Sequence, residues 1–242
     1  MPLVSGYSLY CWLIMKRPFT FINSAMSADG KISTWQRKQV RISGYIDFDR
    51  MDELRATSDA VMVGIGTVLA DDPSLTVKSS QRKSERKAKG FNENPMRVVI
   101  DSKARISLKA DIFKKGEGER VVVVSSSAPP DNIKALSKKA RIIVSGDTTV
   151  DLPNAMEQLY KLGVKRLMVE GGATLNWAML SSGLVDEIYT FVGNVIIGGQ
   201  KAPTLVDGQG FIEHSTLPLE LISAGKIEEG VLLKWKVINH YK

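Results

Sequence analysis

Four stretches of the chain place groups able to hold anions or move protons directly after short apolar runs. Lys165 to Trp177 (KRLMVEGGATLNW) delivers Glu170 and the pair Gly171-Gly172 into a helix start. A strand ending at Glu170 would leave the backbone N–H groups of the next turn free, where the helix dipole favours an anion and glycine permits close approach. An ordinary strand-to-helix turn uses the same glycines, so this segment alone leaves both readings open. Asn23 to Lys31 (NSAMSADGK) likewise reads as an Asp-Gly turn or as a binding loop at a strand end.

The other two stretches add acid and base. Gly64 to Leu69 (GIGTVL) lacks the third glycine of a dinucleotide fingerprint and lies some sixty residues into the chain, which argues against a Rossmann domain. Asp71-Asp72-Pro73 follows it. Adjacent carboxylates cannot both face one site, so one is available for chemistry while the other caps or faces water; taken by itself the motif is a helix stop. Asp101 to Arg105 (DSKAR) sets two cations and a hydroxyl beyond a strand end, suited to a phosphate. The 2′-phosphate that distinguishes NADP from NAD is the relevant one, and a solvated basic loop is the competing explanation.

These groups need a scaffold that brings them together. From Phe19 the chain alternates β-rich and helical runs, the pattern of an α/β domain with a largely parallel sheet. The expected strands are Phe19 to Ser24, Ala60 to Gly64, Arg97 to Asp101, Arg120 to Ser125, Arg141 to Val144 and Lys165 to Glu170. Helices are expected over Asp49 to Thr57, Pro130 to Lys139, Pro153 to Leu162 and Ala173 to Ser182. After Val185 three strands (Glu187 to Val192, Leu217 to Ala224, Val231 to Ile238) follow without a crossover helix, so they join antiparallel and the sheet is mixed. Parallel strands carry their carboxyl ends to one edge, where all four clusters would share a cleft, and that convergence favours an enzyme.

Composition narrows the class. The 242 residues suit one substantial α/β core, and of the net charge of +7 a run from Lys78 to Lys89 (KSSQRKSERKAK) holds +5. That run is nearly free of apolar residues, and residues 78–95 read as a solvated basic connection; without interleaved aromatics it gives no nucleic-acid motif. Cys11 is alone, which excludes internal disulfides and points to a reducing, cytoplasmic setting. His214 and His240 belong to no metal-ligand spacing, so no metal is expected. Leu9 to Met15 is apolar but too short to span a bilayer, and it lacks the flanks of a signal peptide. Residues 1–17 are taken as an extension, with Met15 as an alternative start, ahead of a single domain over 18–242.

In order and spacing, NSAMSADGKI (Asn23 to Ile32), SDAVMVGIGTVLADDPSLTV (Ser58 to Val77), NPMRVVIDSKARI (Asn94 to Ile106) and LMVEGGATLNWAMLSSGLVDEI (Leu167 to Ile188) resemble the riboflavin-pathway pyrimidine reductases, and VIIGGQKAPTLVDGQG (Val195 to Gly210) extends the likeness. The resemblance implies a dihydrofolate-reductase-like α/β fold, a homodimer, NADPH, and 2,5-diamino-6-ribosylamino-4(3H)-pyrimidinone 5′-phosphate or its deaminated counterpart as the small-molecule substrate. It implies cofactor contacts at Ala25, Thr67, Asp71, Ser102, Lys103, Ala104, Arg105, Gly171, Gly172, Ala173, Thr174 and Leu175. Substrate contacts fall on Ser43, Leu75 and Glu170, with Asn23, Ser27 and Asp29 in the same cleft. Proton-path candidates are Asp71, Glu170 and Asp29. Two positions depart from the bifunctional bacterial pattern: Tyr45 replaces a Trp, and Lys78 replaces an Arg, keeping charge but losing the bidentate fork. No upstream deaminase signature accompanies these motifs, as in the stand-alone archaeal and fungal enzymes that act before deamination. A dihydrofolate-type reductase and a phosphate- or RNA-binding protein using Lys78 to Lys89 are the rival readings.

Overall fold

The computed structural model describes residues 16–38 and 40–238. Cys11, His240 and most of the N-terminal extension lie outside the described residues. Arg17 already belongs to the domain: its guanidinium grips Asp186 through two bonds of 2.7 and 2.8 Å.

The strands are β1 (Phe19–Ser27), β2 (Ala60–Gly64), β3 (Met96–Ile100), β4 (Arg120–Val124), β5 (Arg141–Val144), β6 (Arg166–Val169), β7 (Glu187–Gly193), β8 (Leu219–Ile227) and β9 (Gly230–Val237). They form one sheet in the order β5-β4-β3-β2-β6-β1-β7-β9-β8. β1 to β7 run parallel, and β9 and β8 add antiparallel at the end, as the missing crossover helices require. The central strands are continuous apolar runs because both faces are covered. Ile22, Met62, Val98 and Val123 pack on one face, Phe21, Val63, Val99 and Val122 on the other.

Helices α6 (Leu152–Lys161) and α7 (Ala173–Ser181) cover the first face; α1 (Tyr45–Ala56), α2 (Ile65–Asp71), α4 (Asp111–Lys114) and α5 (Pro130–Leu136) contribute to the second. Helix α1 begins four residues before its expected start. Its buried residues are Asp47, Asp52 and Arg55, whereas Tyr45, Ile46 and Phe48 are exposed, so its first turns carry no apolar stripe facing the core.

Residues 80–88 correct the reading of a solvated connection: they form α3 (Ser80–Ala88). Ser79 caps it by accepting from Arg82 N, Arg82 reaches Asp49 and Asp52 on α1, and the buried Arg86 donates to the carbonyls of Ala56, Ser58 and Asn92. The helix is held by polar contacts to α1 and its flanks, which is why it leaves no hydrophobic periodicity. Two of the run's cations are thereby committed to partners within the chain, Arg86 in the interior and Arg82 at the surface.

Candidate active site

Strands β2, β6 and β1 are neighbours, and their carboxyl ends open into a cleft of about 300 Å³. Asn23, Ala25, Ser43, Thr67, Asp71, Glu170 and Gly171 to Leu175 all line it. The chain crosses the gap between strands with backbone bonds: Glu170 N donates to Met62 O at 2.9 Å, and Gly64 N to Gly171 O at 2.9 Å.

Glu170 is not free. Arg55 of α1 meets it with its planar fork, Nε to Oε1 at 2.6 Å and Nη2 to Oε2 at 2.7 Å, and donates from Nη1 to Thr76 O at 3.2 Å. Both side chains are about nine-tenths buried. Burial works against the charge on Arg55, but the Glu170 carboxylate, with Asp52 behind it, offsets this and holds the guanidinium above arginine's ordinary value. In the sequence Arg55 stands only within the helix expected over Asp49 to Thr57, at helical spacing with Met51 and Leu54. A cation on the inward side of a helix was the signal available.

The two adjacent acids divide their work. Asp72 adopts a left-handed conformation at the end of α2 and accepts from Asp111 N at 2.8 Å, capping α4. Asp71 lines the cleft with no hydrogen-bond partner for its carboxylate among the described residues, and desolvation raises its pKa above the ordinary carboxylate value. A carboxyl held back from ionising beside a binding cleft suits proton transfer.

At the opening of α7, Thr67 Oγ1 accepts from Gly172 N at 3.0 Å. A Cβ on Gly172 would lie 2.9 Å from that oxygen, so glycine is required for the close approach. The first-turn N–H groups of a helix have no acceptor within it, and Ala173, Thr174 and Leu175 present that turn to the cleft. These residues fit the pyrophosphate of a dinucleotide. Ser43, just before α1, lines the same cleft and donates to Asp47 Oδ2 at 2.5 Å; Arg50 holds the other oxygen of Asp47. Asn23 is almost fully buried, and its Oδ1 has no partner among the described residues.

Other expected positions fall elsewhere. Leu75 has a positive φ of 53° and its side chain is in the core. Asp29 is exposed and fastens a loop: it accepts from Ser27 Oγ, Ile197 N and Gly198 N, and the hydrogen bond from Ser27, with those backbone bonds, lowers its pKa to about 2. A carboxylate so strongly held ionised is unsuited to donate a proton at neutral pH, and with Ser27 it stands outside the cleft lining. Asp101 is buried beyond β3, where it accepts from the backbone N–H groups of Arg105 and Ile106 and approaches the Arg105 guanidinium at 3.4 Å. Ser102 Oγ accepts from Val150 N, and Ala104 is buried with a positive φ of 51°. β3 lies two strand spacings from β6, about 10 Å, so Ser102, Lys103, Ala104 and Arg105 extend the same edge without lining the cleft.

Residues 18–233 match the family model described as the RibD C-terminal domain. The chain belongs to that family. It is 48% identical over 210 residues to the 2,5-diamino-6-ribosylamino-4(3H)-pyrimidinone 5′-phosphate reductase of Archaeoglobus fulgidus, covering 86% of this chain and 95% of the relative. It is 35% identical to the protein of the same name from Aquifex aeolicus, covering 93% and 99%. The fold is shared with a pyrimidine reductase-like protein from Corynebacterium diphtheriae, with a TM-score of 0.77 at 19% identity over 92% of each chain. Among the described residues of this RibD-family chain no group of His, Cys, Asp or Glu forms a metal site, and no helix is long and apolar enough to cross a membrane.

Proposed function

We infer that this protein is the NADPH-dependent reductase acting on 2,5-diamino-6-ribosylamino-4(3H)-pyrimidinone 5′-phosphate, converting its ribosyl group to ribityl. The observation carrying this reading is the convergence, at the ends of β1, β2 and β6, of the buried Arg55–Glu170 pair, the Asp71 carboxylate, unpaired among the described residues, and the amide-lined start of α7. The family match supplies the reaction class.

A ribosylamine opens to an imine, and its reduction puts a hydride on C1′ and a proton on nitrogen. NADPH supplies the hydride when bound. Thr67 and the residues from Gly171 to Leu175 hold the cofactor's pyrophosphate, Ala25 borders it, and Lys103 and Arg105 at the far end of the edge receive the 2′-phosphate. Glu170, its two oxygens fixed by Arg55, orients the sugar hydroxyls. Ser43 and Asn23 border the substrate, and Asp71 relays the proton. Lys78, whose Nζ contacts Thr76 Oγ1 at 2.9 Å, takes the 5′-phosphate two residues from Arg55's anchor on Thr76.

Oxidation of NADPH is expected with the diamino substrate, weakly with its deaminated counterpart, and not with dihydrofolate. A preference for dihydrofolate, or no oxidation with either pyrimidine, would overturn the assignment.

The chain also forms a homodimer through β8. This edge strand is exposed over almost its whole length and displays Leu219, Leu221 and Ile222, an open ladder that a second copy satisfies. Leu221→Lys should elute as a monomer in size-exclusion chromatography; an unchanged elution volume would place the interface elsewhere.

A further inference from the structure

Thr76 is a meeting point of three segments. Its carbonyl accepts from Arg55, its hydroxyl contacts Lys78 and Ser74, and its methyl group abuts Gly116, where an added Cβ would come within 2.8 Å. The Gly116 loop is fixed in place. The buried Arg97 donates to the carbonyls of Ile112, Lys115, Gly116 and Glu117, Arg120 donates to those of Gly116 and Gly118, and Asn94 bridges Glu117 O and Val77 N. Lys115 therefore projects from a rigid backbone beside Thr76, its ammonium paired with Asp111 and mostly exposed.

A phosphate monoester near pH 7 carries more than one negative charge. Lys78 alone meets it poorly: two of its three donors already face Ser74 Oγ and Thr76 Oγ1. Arg55 has spent three of its five N–H groups on Glu170 and Thr76. Burial, and then the nearby charges of Arg55, Lys115 and Lys83, hold the Lys78 ammonium below lysine's ordinary value against the opposing charge of Asp52, so Lys115 stands within electrostatic reach of Lys78.

We propose that Lys115 is a second binding residue for the substrate's 5′-phosphate, exchanging Asp111 for the phosphate and supplying the charge that Lys78, standing where an arginine fork would serve alone, does not. This rests on the assignment of the phosphate to Lys78, which with Thr76 lies just beyond the residues lining the cleft. The ligand class that recognises the pair is a sugar phosphate monoester; a neutral nucleoside would not engage Lys115.

The full-length enzyme would be assayed as wild type, Lys115→Met, Lys78→Met and Lys83→Met. Lys115→Met is expected to raise KM for the phosphorylated substrate about fivefold, with kcat and the KM for NADPH unchanged and no effect on the dephosphorylated analogue. Lys83→Met should stay within twofold of wild type. If Lys78→Met raises KM but Lys115→Met does not, or if Lys83→Met matches Lys115→Met, Lys115 has no specific role. If neither Lys78→Met nor Lys115→Met changes KM, the phosphate binds elsewhere and the placement itself fails.

Discussion

Arg55→Met should destabilise the protein by about 3 kcal/mol, read as a lowered urea midpoint at unchanged slope, and should abolish measurable turnover. The size follows from what is left behind. Glu170 would keep its carboxylate in a site about nine-tenths closed to water with its cation gone, and Thr76 would lose a donor. Removing both charges separates the two effects: Arg55→Met with Glu170→Leu should recover most of the stability and none of the activity, because an apolar pair can replace a buried ion pair in the core but cannot orient a sugar. A loss below about 1 kcal/mol in the single variant would mean that water reaches the pair and that its strength is that of a surface bridge.

Asp71→Asn should behave in the opposite way, lowering kcat about 100-fold while leaving stability intact or slightly increased. Its carboxylate has no hydrogen-bond partner among the described residues to lose, and its pKa is raised by desolvation. A carboxyl whose folded pKa lies above its unfolded value weakens the fold as pH rises through that interval, so removing the charge relieves a small cost at neutral pH. The same shift gives the kinetic signature. If Asp71 donates the proton, kcat falls as pH rises through the ionisation of this carboxyl, and the asparagine variant loses that limb. Wild-type turnover in Asp71→Asn would remove the residue from the mechanism.

The alternation of apolar runs and helices made the parallel sheet readable, and the absence of crossover helices after Val185 made the antiparallel end readable, because both depend on backbone connections that sequence order constrains. The strand-end clusters were readable for the same reason: parallel strands deliver their carboxyl ends to one edge. What stayed hidden was polar. Helix α3 is fixed by Arg82 and Arg86 reaching acids and carbonyls of other segments, and α1 turns Asp47, Asp52 and Arg55 inward. Such contacts are specific in space but carry no period along the chain. Asp29 shows the converse, a carboxylate in a promising loop whose lone pairs are taken by Ile197 and Gly198, more than 160 residues away.

The position of β1 has a consequence for how the chain is made. It is the first of the described strands to leave the ribosome, yet it sits between β6 and β7, pairing Ile22 with Val169 and Ser27 with Gly193. Its apolar side chains, Phe21 on one face and Ile22 on the other, therefore have no sheet partner until β6 has been synthesised, and lack the second until the chain reaches Gly193. The cleft is among the last features to appear, and a nascent chain halted before β7 holds a central strand open to pairing with the wrong neighbour.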